Sequence, residues 1–133
     1  MAKTKQLTVL CENRPGTLAH VARVMGNAKV NILAILTTTS GAEGSVQLVV
    51  DNANKAKKAL DGAGLSYIEA DVMHVELPHQ PGALGYFAGK LAAKEINVNS
   101  AYATTVKGSK KASAVFAVSD LDKAARFGRH MAP

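Results

Sequence analysis

Two segments of the chain, sixty-six residues apart, carry residue types suited to holding a small polar ligand. Asn13-Arg14-Pro15-Gly16-Thr17-Leu18 is matched by His79-Gln80-Pro81-Gly82-Ala83-Leu84, and Val30-Asn31-Ile32 by Ile96-Asn97-Val98. Pro-Gly makes a sharp turn into a helix, since proline is preorganised for a first helical turn and glycine lets a ligand approach the backbone. The N–H groups at a helix start lack intrahelical partners and sit at the positive end of the dipole, which suits a carboxylate. Asn31 and Asn97 both donate and accept, so they suit a ligand bearing both charges without burying a charge of the protein's own. Asn13, Pro15, Gly16, Thr17, Asn31 and Ile32 are the candidate binding positions of the first copy. His79, Gly82, Ala83, Asn97 and Val98 are those of the second.

The elements that position these residues follow from hydrophobic periodicity. Gln6 to Cys11 alternates as a strand, and Pro15-Gly16 then opens a helix with Leu18, Val21, Ala22 and Met25 on one face. Leu84, Phe87, Ala88 and Leu91 repeat that stripe. Asn31 to Thr39 and Ser45 to Val50 read as a hairpin around a Gly-rich turn. Asp51 is the expected cap of a helix through Gly62 with Ala56, Ala59, Leu60 and Ala63 inward, and a strand from Leu65 to Asp71 follows. The order is β-α-β-β-α-β. The second copy begins at Val72 and shifts to a sixty-eight-residue spacing after a longer hairpin loop, so Ser119 takes the place of Asp51. It stops at Met131-Ala132-Pro133 without a fourth strand, which predicts an open sheet edge.

Composition narrows the function classes. The chain of 133 residues is 47% hydrophobic and 20% charged, as in a soluble globular protein. It has no apolar run long enough to span a bilayer and no signal-peptide pattern, so a cytoplasmic protein without a membrane partner is expected. The single cysteine, Cys11, fits a reducing compartment and sits among alternating apolar residues, where a thiol behaves as a small hydrophobe. The net charge of +6 is scattered over Lys55-Ala56-Lys57-Lys58, Lys107-Gly108-Ser109-Lys110-Lys111, Arg126 and Arg129. No long basic stripe emerges, so nucleic acid is not an expected partner. His20, His74 and His130 lack metal-ligand spacing, and no metal or cofactor is expected. No nucleophile is set beside a base and no lysine completes a phosphate-cradling loop, so no catalytic residue is assigned.

The β-α-β-β-α-β order is the ferredoxin-like plan, an α+β fold with antiparallel sheets and helices on one face. Glu12-Asn13-Arg14-Pro15-Gly16-Thr17-Leu18 at the first strand–helix junction, followed by Val30-Asn31-Ile32, resembles the ACT domain, a small amino-acid-binding regulatory module. The resemblance implies two ACT units in tandem, residues 1–71 and 72–133, the second lacking its last strand. It also implies a free amino acid bound where two ACT units meet, between the strand–helix loop of one and the second strand of its neighbour. His79 departs from the family's Asn at the first motif position.

Two functions follow as expectations. One is a non-enzymatic amino-acid-binding regulator that signals through assembly, as a homodimer or higher homo-oligomer, or through a partner enzyme. The other is a regulatory or assembly subunit of an amino-acid-metabolism enzyme with no ligand of its own. Apolar neighbours such as Ile32, Leu33 and Val98 suit a branched-chain or aromatic ligand.

Overall fold

In a computed structural model of the chain, residues 2–126 are described, so Arg129, His130 and the stop at 131–133 lie outside them. The elements are β1 (Ala2–Glu12), α1 (Thr17–Asn27), β2 (Ile32–Ser40), β3 (Glu43–Val50), α2 (Ala53–Gly62), β4 (Tyr67–Pro78), α3 (Ala83–Ala93), β5 (Val98–Thr105), β6 (Lys111–Val118) and α4 (Leu121–Arg126). The α+β, antiparallel ferredoxin-like plan therefore appears twice. The expected strands Leu65–Asp71 and Val72–Leu77 are one strand, β4, because no turn residue interrupts them. β2 and β5 begin one residue after Asn31 and Asn97, which stay outside the ladders.

The chain divides into two compact units, one of residues 5–70 and the other of residues 1–4 with 71–133. In the N-terminal unit the strand order is β2-β3-β1-β4, with β3 antiparallel to both β1 and β2. Leu7 and Val9 of β1 and Val46 and Leu48 of β3 share one face of this sheet. Val21 and Met25 of α1 and Ala56 and Leu60 of α2 pack on that face, and all of these side chains are buried. Leu18, expected to lead the α1 stripe, is 46% exposed instead. Long helical side chains lean toward the helix N-terminus, so a residue of the first turn reaches past the sheet rather than onto it. Ala63 of the expected α2 face is likewise exposed, since it follows the last helical residue.

The C-terminal unit repeats the order as β4-β6-β5. Met73, Val75, Leu77, Ala114 and Phe116 meet Phe87 and Leu91 of α3 and Ala124 of α4. The rings of Phe87 and Phe116 meet edge to face, 4.8 Å between centroids. Leu84 is exposed, as is Leu18. Residues 2–4 at the start of β1 belong to this unit, and β1 is the hydrogen-bonded neighbour of β4. Lys3 Nζ donates to Asp122 of α4 across 3.2 Å.

Both expected helix caps fall one residue late. The Asn52 side chain accepts the Lys55 N–H, and Asp120 accepts the Lys123 N–H, each at the third residue on. Asp51 and Ser119 instead face the strand start beside them. Asp51 accepts from the N–H and the Nδ2 of Asn31, and Ser119 Oγ accepts the Asn97 N–H.

Candidate functional site

The turn between β1 and α1 is set by Gly16. It caps α1 at φ 90°, and Gly82 caps α3 at φ 89°. That left-handed conformation is costly for any residue with a Cβ, which is why glycine stands at both places. Thr17 Oγ donates to the Glu12 carbonyl at 3.0 Å and closes the turn. Asn13 ties the turn to the β2–β3 hairpin, its N–H donating to the Ala42 carbonyl and its Nδ2 to the Gly41 carbonyl, both at 2.9 Å. Arg14 Nε reaches Glu12 Oε2 at 3.1 Å, an ion pair whose side chains are more than two-thirds exposed.

In the second copy the backbone bond persists, the His79 N–H donating to the Lys110 carbonyl at 2.8 Å. The side-chain chemistry does not. Ala83, in the place of Thr17, is buried and has no hydroxyl. Pro78 and Gln80 stand where the first copy has Glu12 and Arg14.

Two depressions flank the first turn. On the β2 side a cleft of about 90 Å³ is bordered by Asn13, Thr17, Leu18, Thr37 and Thr39. On the other side of the start of α1 lies a larger depression of about 370 Å³. Its lining includes Cys11, Pro15 and Leu65 as apolar surface and Glu12, Arg14 and His20 as polar surface. Asn13 and Thr17 border the cleft, whereas Pro15, Gly16 and Thr17 line the larger depression, so neither depression holds all four. Of the residues that sequence reasoning left out, Glu12 and Arg14 sit inside the motif itself. Thr37 and Thr39 hid in a β-branched strand, and Leu65 arrives from the distant α2–β4 connection with no local signal.

Asn31 and Ile32 are not at the turn of their own unit. They stand at the start of β2, whereas Thr37 and Thr39 near its other end border the cleft. Seven residue steps at ~3.3 Å separate Ile32 from Thr39, a distance of ~23 Å. Asn97 and Val98 hold the same place at the start of β5. The Asn31 amide nitrogen is held by Asp51, and its Oδ1 carries no hydrogen bond among the described residues. Asn97 Nδ2 donates to Asn99 Oδ1 at 2.9 Å.

Away from the turn, Glu69 lies 2.7 Å from Lys57 and 3.7 Å from Lys5. The hydrogen bond from Lys57 is the main cause that holds its carboxyl below the ordinary value. Burial pushes the Tyr102 hydroxyl up to about 12. His74 Nε2 and Ser113 Oγ share a hydrogen bond of 2.6 Å on the sheet of the C-terminal unit. Among the described residues, no three His, Cys, Asp or Glu side chains converge as a metal site would require. No helix among them is long and apolar enough to cross a membrane.

Residues 2–127 match the family described as an ACT domain pair. The chain belongs to that family. Among solved structures, a protein of Bacteroides thetaiotaomicron superposes with a TM-score of 0.87 at 27% identity, over 93% of this chain and 85% of that one. The regulatory subunit of aspartate kinase from Thermus thermophilus gives 0.74 at 17% identity, covering 97% and 90% of the two chains. Its counterpart from Thermus flavus gives 0.64 at 16%, covering 98% and 89%. At these last identities the ACT pair shares a fold with the two subunits. No curated protein matches the chain.

Proposed function

We infer that this ACT pair is a non-enzymatic regulatory protein of the cytoplasm that binds a free amino acid at the first β1–α1 turn. The reading rests on one observation. Beside the first turn of α1 lies a cleft bordered by Asn13, Thr17, Thr37 and Thr39. The helix start suits the ligand carboxylate, and the neighbouring hydroxyl and amide groups suit its ammonium.

The cleft holds only about 90 Å³, whereas small-ligand sites begin at about 300 Å³. It needs a second wall. β2 is an edge strand of its sheet and exposes Leu33 and Ile35. Antiparallel pairing of β2 with the β2 of a second copy would set the start of one strand opposite the end of the other. Asn31 of the second copy would then face this turn, offering its free Oδ1 to the ammonium. Ligand would bind the assembled form better than the separate chains, and that difference in affinity is the signal. The domains are taken as residues 1–71 and 72–133, and a partner enzyme is a further reader of the assembled state.

A mixing experiment tests this. Thr39→Trp blocks the turn and Asn31→Ala removes the second wall, so homodimers of either variant bind no amino acid at this cleft. The mixed dimer regains one of its two sites, because one turn and the facing Asn31 are both intact. Binding by the Asn31→Ala homodimer as tight as wild type contradicts the shared site. A stable dimer that responds to no amino acid favours the second reading, an assembly subunit, for which exposed Leu33 and Ile35 also speak.

A further inference from the structure

We propose that the free edge of β5, with the lysine-bearing turn at its end, docks an extended acidic segment of a partner protein as an added strand. β5 stands last in the strand order and is hydrogen-bonded to β6 on one side. Such an edge presents a row of backbone N–H and C=O groups, which proteins ordinarily guard with charged side chains, proline or a bulge. β5 holds no charged residue and no proline. Its bulge lies at the start, between Val98 and Ser100, and the ladder to β6 runs regularly from Ser100 to Thr105. Ala101, Ala103, Thr104 and Thr105 along that stretch are exposed.

The turn that follows sets the sign of the partner. The Val106 carbonyl accepts the Ser109 N–H at 2.9 Å, and Gly108 takes the third place of this turn at φ 85°. A glycine of positive φ in that place makes a type II turn, with Lys107 at its corner. The Lys110 carbonyl accepts the His79 N–H at 2.8 Å, so the turn is braced against the β4–α3 connection. Lys111 lies 3.2 Å from Glu76, whereas the exposed Lys107 and Lys110 ammonium groups have no anionic partner among the described residues. The matching turn of the first copy, Gly41-Ala42, is shorter and is followed by Glu43. Free cations beside an unguarded edge therefore belong to the second copy.

Backbone and charge together name the occupant. A nucleic acid neutralises lysines but has no peptide groups to meet the β5 edge. The β5 of a second copy, paired antiparallel, brings the segment leading into that strand to the lysine turn, and Lys94 and Glu95 there cancel. An extended peptide supplies the backbone groups, and its N-terminal acidic residues meet Lys107 and Lys110 when it pairs antiparallel. Ala101 and Ala103 share the face of their register partners Phe116 and Ala114, which α3 covers. Such small side chains leave room for large apolar ones at alternate positions of the added strand. The segment is thus a run of acidic residues followed by alternating apolar ones. None of these β5 or turn residues borders the cleft, so docking is independent of amino-acid binding.

The probe is a fluorescein-labelled peptide of glutamates followed by alternating threonine and valine, titrated with the full chain and read by polarisation. The test variant combines Lys107→Glu with Lys110→Glu, two exposed positions outside the core. The wild type is expected to bind the acidic peptide. The double variant binds it at least about tenfold more weakly and instead takes up a peptide with lysines in place of the glutamates. N-methylation of one alternating set of peptide nitrogens abolishes binding and of the other set does not, since only one set donates to β5. Alternate amides between Ser100 and Thr105 exchange more slowly in the complex. Equal affinity of wild type and double variant for the acidic peptide overturns the charge reading, and equal binding by both N-methylated forms overturns the added strand. Failure of the acidic peptide to bind overturns the proposal outright, as does an oligonucleotide binding in its stead. Concentration-dependent protection of the β5 amides without peptide assigns the edge to a second copy and overturns it as well.

Discussion

Gly16 and Gly82 hold φ near +90°, and a Cβ built at either meets nothing within 4 Å. The cost of replacing them is therefore carried by the backbone alone. Gly16→Ala and Gly82→Ala should each destabilise by ~1–2 kcal/mol in urea unfolding, the ordinary cost of a left-handed residue with a Cβ. A β-branched residue such as Val at Gly16 adds strain to any loss of ligand approach, so a binding test there cannot separate the two. Thr39 is a better probe because it is exposed and borders the cleft. A second residue-scale effect concerns Tyr102, which pairs with Val115 in register and is half-buried. Burial raises its pKa from the ordinary 10.0 to about 12. The raised value means the fold favours the protonated phenol, so this contribution is complete below pH ~10 and lost as pH rises toward ~12. Tyr102→Phe should flatten the alkaline limb of stability across that window, as pH-dependent denaturant midpoints would reveal. An unchanged limb would place the titration elsewhere.

At the scale of elements, helices and strands were legible because their periods are clean, as in Leu7, Val9 and Cys11 or Val21 and Met25. Cap assignments failed by one residue, since Asp51 and Asn52 are both good caps and only tertiary contact decides between them. Asp51 is drawn to Asn31, twenty positions away, and leaves the helix to Asn52. Asn52→Ala should cost ~1 kcal/mol and loosen α2. Asp51→Ala should instead loosen the start of β2, and amide hydrogen exchange resolved by residue distinguishes the two. In the other unit, Phe116 is buried against Phe87. Phe116→Ala should cost ~3–5 kcal/mol, read from urea unfolding. Loss of less than ~1 kcal/mol would mean that this cluster is not a core.

For the whole molecule, the sequence repeat predicted the two units but not how the strands are apportioned. Residues 2–4 count with the C-terminal unit, and the start of β1 carries no local signal for that assignment. The site was half legible for the same reason. Pro15-Gly16-Thr17 is a local motif and can be read in a line, whereas Leu65 and Thr39 reach the turn only through the fold. The equivalence of the two copies also dissolves in three dimensions, because buried Ala83 and uncharged Gln80 keep the turn but not its chemistry. Regulation by an amino acid is the central claim, and it makes a thermodynamic demand. A ligand that binds only the native state stabilises by RT ln(1 + [L]/Kd), about 2.7 kcal/mol at a hundredfold excess over Kd. Thermal unfolding of the full chain with each standard amino acid at millimolar concentration measures this directly. The account predicts a raised midpoint for a few related apolar amino acids and none for the rest, whereas a flat response across the set would contradict it.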